Sequence, residues 1–361
     1  MTKLLEIPLG SQHAVLLEPL HFRFSCENET IREVKADLGY VHRGVEQACM
    51  TRFDYKQVPT VVGRVCGLCA ITHSTGAVLA TEAIMQTEIT DRAKWLRIMA
   101  LEMDRIHSHM LCLAHTAESA GFEALFMKTM MEREAIMQAQ EALTGSRVQF
   151  DYTTLGGVNR DVTPENAPII REKLKAVRKS LIELTDRFEH NATLSLRFKG
   201  VGTLTPEQVY TLGAVGPLAR AAGIATDIRS ESDHLPYAAL GFEPIVETGG
   251  DIHARNRVRL RELTQSLTLI ERVLDGLPEG EFKTKARGKP NGEAIARIEA
   301  PRGELFYYVR GNNTAVFERL RIRTPTYANL PSFMEIFKNE EYAHVPPILA
   351  SLDPCMSCTA K

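Results

Sequence analysis

The sequence predicts an α+β protein, predominantly helical, with a helical core, small antiparallel β segments near both termini, and the two ends meeting at one site. Three observations carry this. From Asp91 onward, long stretches space apolar residues by three and four, whereas segments near either end alternate apolar and polar residues. Two Cys-x-x-Cys pairs, Cys66 with Cys69 and Cys355 with Cys358, stand at opposite ends of the chain. The second pair lies beside Lys361, where a chain frays unless something anchors it, and a metal ion shared by both pairs would do so.

In chain order, residues 13–24 (HAVLLEPLHFRF) and 30–40 (TIREVKADLGY) alternate as strands around a polar CENE turn. The segment after Cys69, ITHSTGAVLATEAIMQ, reads as helical. Trp95, Met99, Met103, Ile106, Met110 and Leu113 form one stripe on a long helix starting at Asp91. A second helix follows Gly121 and stops at Gly145. Thr163 and Pro164 open another, carrying Ile170, Leu174, Val177, Leu181, Leu184 and Phe188. A further helix runs from Asp251 to Asp275 with Gly276 as its stop. Strand alternation returns in EAIARIEAPRGELFYYVRG and FERLRIRTP. The expectation is one continuous domain over 1–361: a β-rich segment at 1–50, a helical core at 60–280, and a β-rich segment at 290–361 ending in the second Cys pair.

Composition narrows the class. Of the 361 residues, 44% are hydrophobic and 24% charged, as in soluble globular proteins. The net charge of −2 gives no reason to expect nucleic acid or an anionic membrane as partner. No apolar run is long enough for a membrane span, and the opening MTKLLEIPLGSQH lacks the pattern of a secretory leader. Seven cysteines without framework spacing argue against a disulfide scaffold.

Cysteines three apart at a helix start let two sulfurs converge on one ion, and that position favours the thiolate that binds metal. His73, one turn beyond Cys69, is placed to hydrogen-bond a sulfur or another ligand of the centre. Spacing alone leaves a structural zinc as one reading and independent redox pairs as another. Against zinc, such sites staple small local units, whereas these pairs sit at the two ends of a long chain. Spacing says metal without naming it.

HRGVEQ (His42–Gln47), RVCGLCAITHS (Arg64–Ser74), EAPRGE (Glu299–Glu304) and DPCMSC (Asp353–Cys358) together resemble the large subunit of nickel–iron hydrogenases. The short chain, GSQH near its start and GDIHARNRVRLRE (Gly250–Glu262) look most like the energy-converting, membrane-bound branch, with its Ech-type and carbon-monoxide-induced enzymes. That branch is related to the quinone-site subunit of respiratory complex I. GSQH departs from the commoner GPQH at Ser11, and His13 is assigned no role.

The resemblance implies that all four cysteines hold nickel, with Cys69 and Cys358 also bridging to an iron that carries carbon monoxide and cyanide. It implies reversible heterolysis of H2, with Glu18 as proton relay and Arg302 donating to the iron's cyanide ligands. Pro301 would shape the same wall. Asp353, before Pro354, reads either as an acceptor behind it or as a turn initiator. Glu46 matches a glutamate that helps bind a separate metal, magnesium or another, in many relatives. Lys361 stands where those relatives carry His or Arg, so Glu46 could pair with it instead. The remaining Cys26, Cys49 and Cys112 fit no iron–sulfur pattern, so the clusters are expected in a small partner subunit. Ferredoxin-like and integral membrane subunits, nickel maturation proteins, ion translocation and a peripheral place on the cytoplasmic side of the cell membrane complete the expectation. A quinone- or sulfur-reducing relative and a structural-zinc scaffold are the rival readings.

Overall fold

The computed structural model describes residues 4–148 and 151–361. Strands β1 (Leu5–Leu9), β2 (His21–Glu27) and β3 (Thr30–Asp37) form an antiparallel sheet in that order. The alternation in β2 is physical: Phe22, Phe24 and Cys26 are buried, and both phenylalanines meet Phe337 edge-on. The expected strand over residues 13–24 is shorter than its pattern, because residues 13–20 form turns. The amide of Leu20 returns to the carbonyl of Ser11, and Pro19 has no N–H to offer a ladder. Glu18 therefore lies in a loop rather than in an apolar strand.

Two short helices, α1 (Val45–Thr51) and α2 (Val58–Gly63), lead to the core helices α3 (Ala70–Met85), α4 (Asp91–Ser119) and α5 (Glu123–Thr144). Every residue of α3 from Ala70 to Glu82 is buried, so it is a central helix without a solvent face. Thr90 caps α4 by accepting from the Ala93 amide at 3.1 Å. Gly145 ends α5 at φ 77°, the left-handed turn expected of it.

A small hairpin, β4 (Thr153–Thr154) with β5 (Gly157–Val158), precedes α6 (Asn166–His190). The α6 helix starts later than Thr163–Pro164 suggested. Thr163 and Asn166 exchange hydrogen bonds across the opening turn, so Thr163 acts one turn early. Helices α7 (Ala192–Phe198), α8 (Pro206–Leu212), α9 (Pro217–Ala221) and α10 (Ile228–Glu231) are short, and α11 (Ile252–Gly276) is long. Gly276 is the last helical residue of α11 and not a left-handed stop. It is small for a different reason, since a Cβ there would sit 3.2 Å from the Trp95 ring.

Strands β6 (Asn291–Ala300), β7 (Gly303–Asn312) and β8 (Arg319–Arg323) make a second antiparallel sheet. Its first hairpin turns at Pro301 and Arg302. Helices α12 (Pro325–Ile336), α13 (Val345–Leu352) and α14 (Met356–Thr359) close the chain. The fold is thus the predominantly helical α+β arrangement expected, with small sheets toward its ends and both Cys pairs inside one core cluster.

Candidate metal centre

Cys66 sits in the turn before α3 and Cys69 caps that helix; Cys355 caps α14 and Cys358 lies within it. The sulfurs converge across the fold. Cys66 and Cys355 are 3.3 Å apart, Cys69 and Cys358 3.5 Å, and Cys66, Cys69 and Cys358 lie within 4.8 Å of one another. All four are buried. For metal–sulfur bonds of about 2.3 Å, sulfurs sharing one ion lie roughly 3.3–3.8 Å apart, so the donor set fits a soft metal.

Electrostatics also call for a cation. Hydrogen bonds from Cys355, Cys358 and Cys69 hold the Cys66 thiol well below its ordinary range. Contacts with Cys355, Cys66 and Cys69, together with burial, push Cys358 well up. In Cys69 and Cys355 the bond with Cys358 pulls downward but loses to the bond with Cys66 and to burial, so both rise. The start of α3 therefore does not by itself make both sulfurs of its pair thiolates. Crowded thiols allow one to ionise, and a cation is required to ionise the rest.

His73, one turn into α3, brings Nε2 to 3.4 Å from the Cys358 sulfur and Nδ1 to 2.7 Å from the Tyr307 hydroxyl. Burial lowers its pKa to about 4, so the ring is neutral. Burial likewise pushes the Tyr307 phenol well up, leaving its proton in place. The consistent tautomer has Tyr307 donating to Nδ1 and Nε2–H donating to sulfur. Tyr307, on the inner face of β7, was not read as a site residue. Its only sequence signal is strand alternation, which marks core as readily as site.

Arg302, at the β6–β7 turn, donates from Nε to the Asp353 carbonyl at 2.9 Å and from Nη2 to its carboxylate at 2.7 Å. Nη1 reaches Ser108 of α4 at 3.1 Å. Burial opposes its charge, but Asp353 and the cysteine sulfurs outweigh that and keep it protonated. Burial raises Asp353, whose Oδ2 has no partner. Its backbone is left-handed at φ 54°, which turns the chain from α13 toward Cys355. Pro301 and Arg302 line a small cavity with Leu305 and Pro325 that also touches Cys69 and Cys358.

Glu18 accepts from the Ser357 amide at 2.8 Å and from the Ser357 hydroxyl, beside the second Cys pair. Glu46 acts on the Lys361 ammonium only through its charge, without a direct bond. Packing of α1 on β8 gives it Arg321 and the Ile322 amide instead, at 2.9 Å for the latter, so both oxygens are engaged. A metal at Glu46 would have to displace Arg321. His107 and His109 are buried on α4, with Asp104 at 3.2 Å and Glu262 at 2.8 Å as partners. Cys26, Cys49 and Cys112 are buried and remain free thiols.

Comparison with known proteins identifies the family. A family model described as the 49-kDa subunit of respiratory-chain NADH dehydrogenase matches residues 120–289 and 282–361, and one described as nickel-dependent hydrogenase matches 43–117. The chain belongs to the family of hydrogenase large subunits and their respiratory complex I relatives. It is 36% identical to the membrane-bound hydrogenase subunit alpha of Pyrococcus furiosus, covering 98% of this chain and 87% of that one. It is 34% identical to the carbon monoxide-induced hydrogenase of Rhodospirillum rubrum, covering 98% and 99%. An NADH-quinone oxidoreductase subunit of Koribacter versatilis is 30% identical over 97% and 94%. Among the described residues, no helix is long and apolar enough to cross a membrane.

Proposed function

We propose that this chain is the catalytic subunit of an energy-converting nickel–iron hydrogenase, splitting H2 or reducing protons heterolytically. The observation that carries the reading is the cavity beside Cys69 and Cys358, walled by Arg302 and Pro301. A structural zinc site is closed by its ligands, whereas this one keeps adjoining space and a buried charged donor. Cys66 and Cys355 would be terminal nickel ligands, and Cys69 and Cys358 would bridge to iron. A nickel–iron pair bound there supplies the redox and hydrogen-activating chemistry.

The chain's own residues do the rest. Arg302 offers fixed donors toward anionic ligands such as cyanide, because Asp353 and Ser108 hold the guanidinium in place. His73 donates to the Cys358 sulfur and steadies its charge. A proton released at a terminal thiolate passes to Glu18, whose carboxylate is fixed against the cysteine loop by Ser357. An iron–sulfur cluster in a small partner subunit would carry the electrons onward to ferredoxin. The chain works as one domain, on the cytoplasmic side of a membrane complex that moves ions, after maturation proteins have loaded nickel.

Infrared spectra of the purified protein test this. Metal-bound carbon monoxide and cyanide absorb where protein does not, and about one nickel and one iron per chain should accompany the bands. One zinc without nickel would support the scaffold reading. Similarity to the quinone oxidoreductase of Koribacter versatilis motivates a quinone-reducing alternative, which quinone-dependent turnover without the infrared bands would support.

A further inference from the structure

Behind the β6–β7 turn, α4, α9, α10, α11 and β6 enclose a buried ionic cluster that the centre does not use. Arg220 of α9 bonds Glu262 of α11 at 2.8 Å, Asp227 at the start of α10 at 3.1 Å, and Glu299 of β6 at 2.8 Å. Arg229 bonds Asp227 at 2.8 Å and Glu102 of α4 at 3.2 Å, and Arg105 bonds Glu102 at 3.2 Å. These groups are all buried. Direct bonds thus join three guanidinium groups to four carboxylates.

His109, which bonds Glu262, does not balance the count, since burial lowers its pKa to about 4. Fully ionised, the directly bonded groups would carry one more negative than positive charge, offset only at longer range by the buried guanidinium of Arg259 beside His109, and an excess charge in the interior is costly. A single proton removes it.

Three of the acids are poor holders of that proton. Glu102 accepts from Arg105, Arg229, Tyr237 and Ser266. Asp227 takes two bonds from the Arg229 guanidinium, and Glu262 takes Arg220 and His109. Glu299 is the least satisfied. Its Oε1 shares Arg220 Nη1 with Asp227 and the Thr226 carbonyl, and its Oε2 has only the Ile228 amide at 3.2 Å. The charges facing it are Asp227 and Arg229 from α10, Arg220 from α9 and Arg105 from α4, with Glu262 of α11 behind Arg220. Burial and then Asp227 raise its pKa to about 7, against the three arginines.

A narrow cleft with room for about one water lies against this residue between α10 and β6. Ser232 and the exposed Arg297 line it together with Arg229, Tyr237 and Glu299.

We propose that Glu299 is a buried proton-loading site that exchanges one proton with solvent through this cleft, immediately behind the turn presenting Arg302. The step is the making and breaking of one O–H bond at Oε2, with solvent as donor and acceptor, and no electron moves. Arg105 ties the site to the centre, donating to the Glu299 and Ala300 carbonyls at 2.8 and 3.2 Å, just before Pro301 and Arg302. Loading and unloading therefore change the charge behind Arg302. That consequence rests on the hydrogenase reading, whereas the loading itself does not.

Infrared difference spectra of the full chain, titrated from about pH 5 to about pH 9, test it. The expected result is a protonated-carboxyl band that disappears with a midpoint near 7, shifts down in heavy water, and is missing in Glu299→Gln. In wild-type protein the band should also shift down when glutamate carries carbon-13 carboxyls, which excludes the buried aspartates, and Glu299→Asp should keep a carboxyl band that the glutamate label no longer moves, which assigns the residue if Glu299→Gln does not fold. No titrating band, a band surviving Glu299→Gln, or a band unmoved by labelled glutamate would overturn the proposal. Loss of the metal-ligand bands with the carboxyl titration intact would sink the hydrogenase reading alone.

Discussion

The guanidinium of Arg43 donates to the Ser357 carbonyl at 3.1 Å, and with its other bonds holds the carbonyls of Arg64 at 3.0 Å and Val65 at 2.8 Å. One side chain therefore spans from the residues just before Cys66 to the residue just before Cys358. It fixes the spacing between the two pairs without touching a sulfur.

Arg43→Met should loosen that spacing. Because Arg43 is exposed, the expected loss of unfolding free energy is only about 1 kcal/mol. Nickel release under chelator should accelerate by more than that stability loss implies. Arg43→Lys should rescue it incompletely, since an ammonium cannot serve three carbonyls in the fixed fork of a guanidinium. Equal nickel release in all three proteins would dismiss the clamp.

Cys69→Ser and Cys358→Ser each remove a proposed bridge. Hydrogen–deuterium exchange activity should vanish, and nickel per chain, read by elemental analysis, should fall to a small fraction of the wild-type value. A serine hydroxyl is a hard, weakly acidic donor where the site offers soft thiolates.

Glu18→Gln should leave nickel and iron contents unchanged and slow proton–deuterium exchange on the order of 10²- to 10⁴-fold, the usual worth of a positioned acid–base group. Unchanged exchange would remove Glu18 from the proton path.

His109, which bonds Glu262 and not a cysteine sulfur, gives a pH signature of its own. Its pKa is depressed by burial from 6.5 to about 4, so between those values the unfolded chain binds more protons than the folded one. The stabilisation is complete above pH 6.5 and is lost as pH falls toward 4, amounting to roughly 3 kcal/mol at most. Urea unfolding at a series of pH values should show that loss, and His109→Gln should make the curve shallower in this window, with the buried His73 supplying the slope that remains.

Much of the fold could be read from periodicity. The α4 stripe, the Gly145 stop and the β6–β7 alternation are local patterns with local causes. Residues 13–20 misled because Pro19 and a return bond from Leu20 to Ser11 override an apolar alternation. Of the proposed site, the four cysteines were visible as motifs. Tyr307, Ser108 and Ser357 were not, because each is an ordinary residue for its element and gains its role only from what lies across the fold. The buried acids and arginines of the cluster around Arg220 were equally silent, since a charge in a sequence does not announce whether it faces water.

Cys69 and Cys358 are 289 residues apart, yet their sulfurs touch. At synthesis rates of about 5–20 residues per second, the first emerges from the ribosome roughly 15–60 s before the second exists. During that interval the early pair has no opposite half. A site shared by both pairs cannot close until Cys355 and Cys358 have been made, so α14 works as the latch on that site.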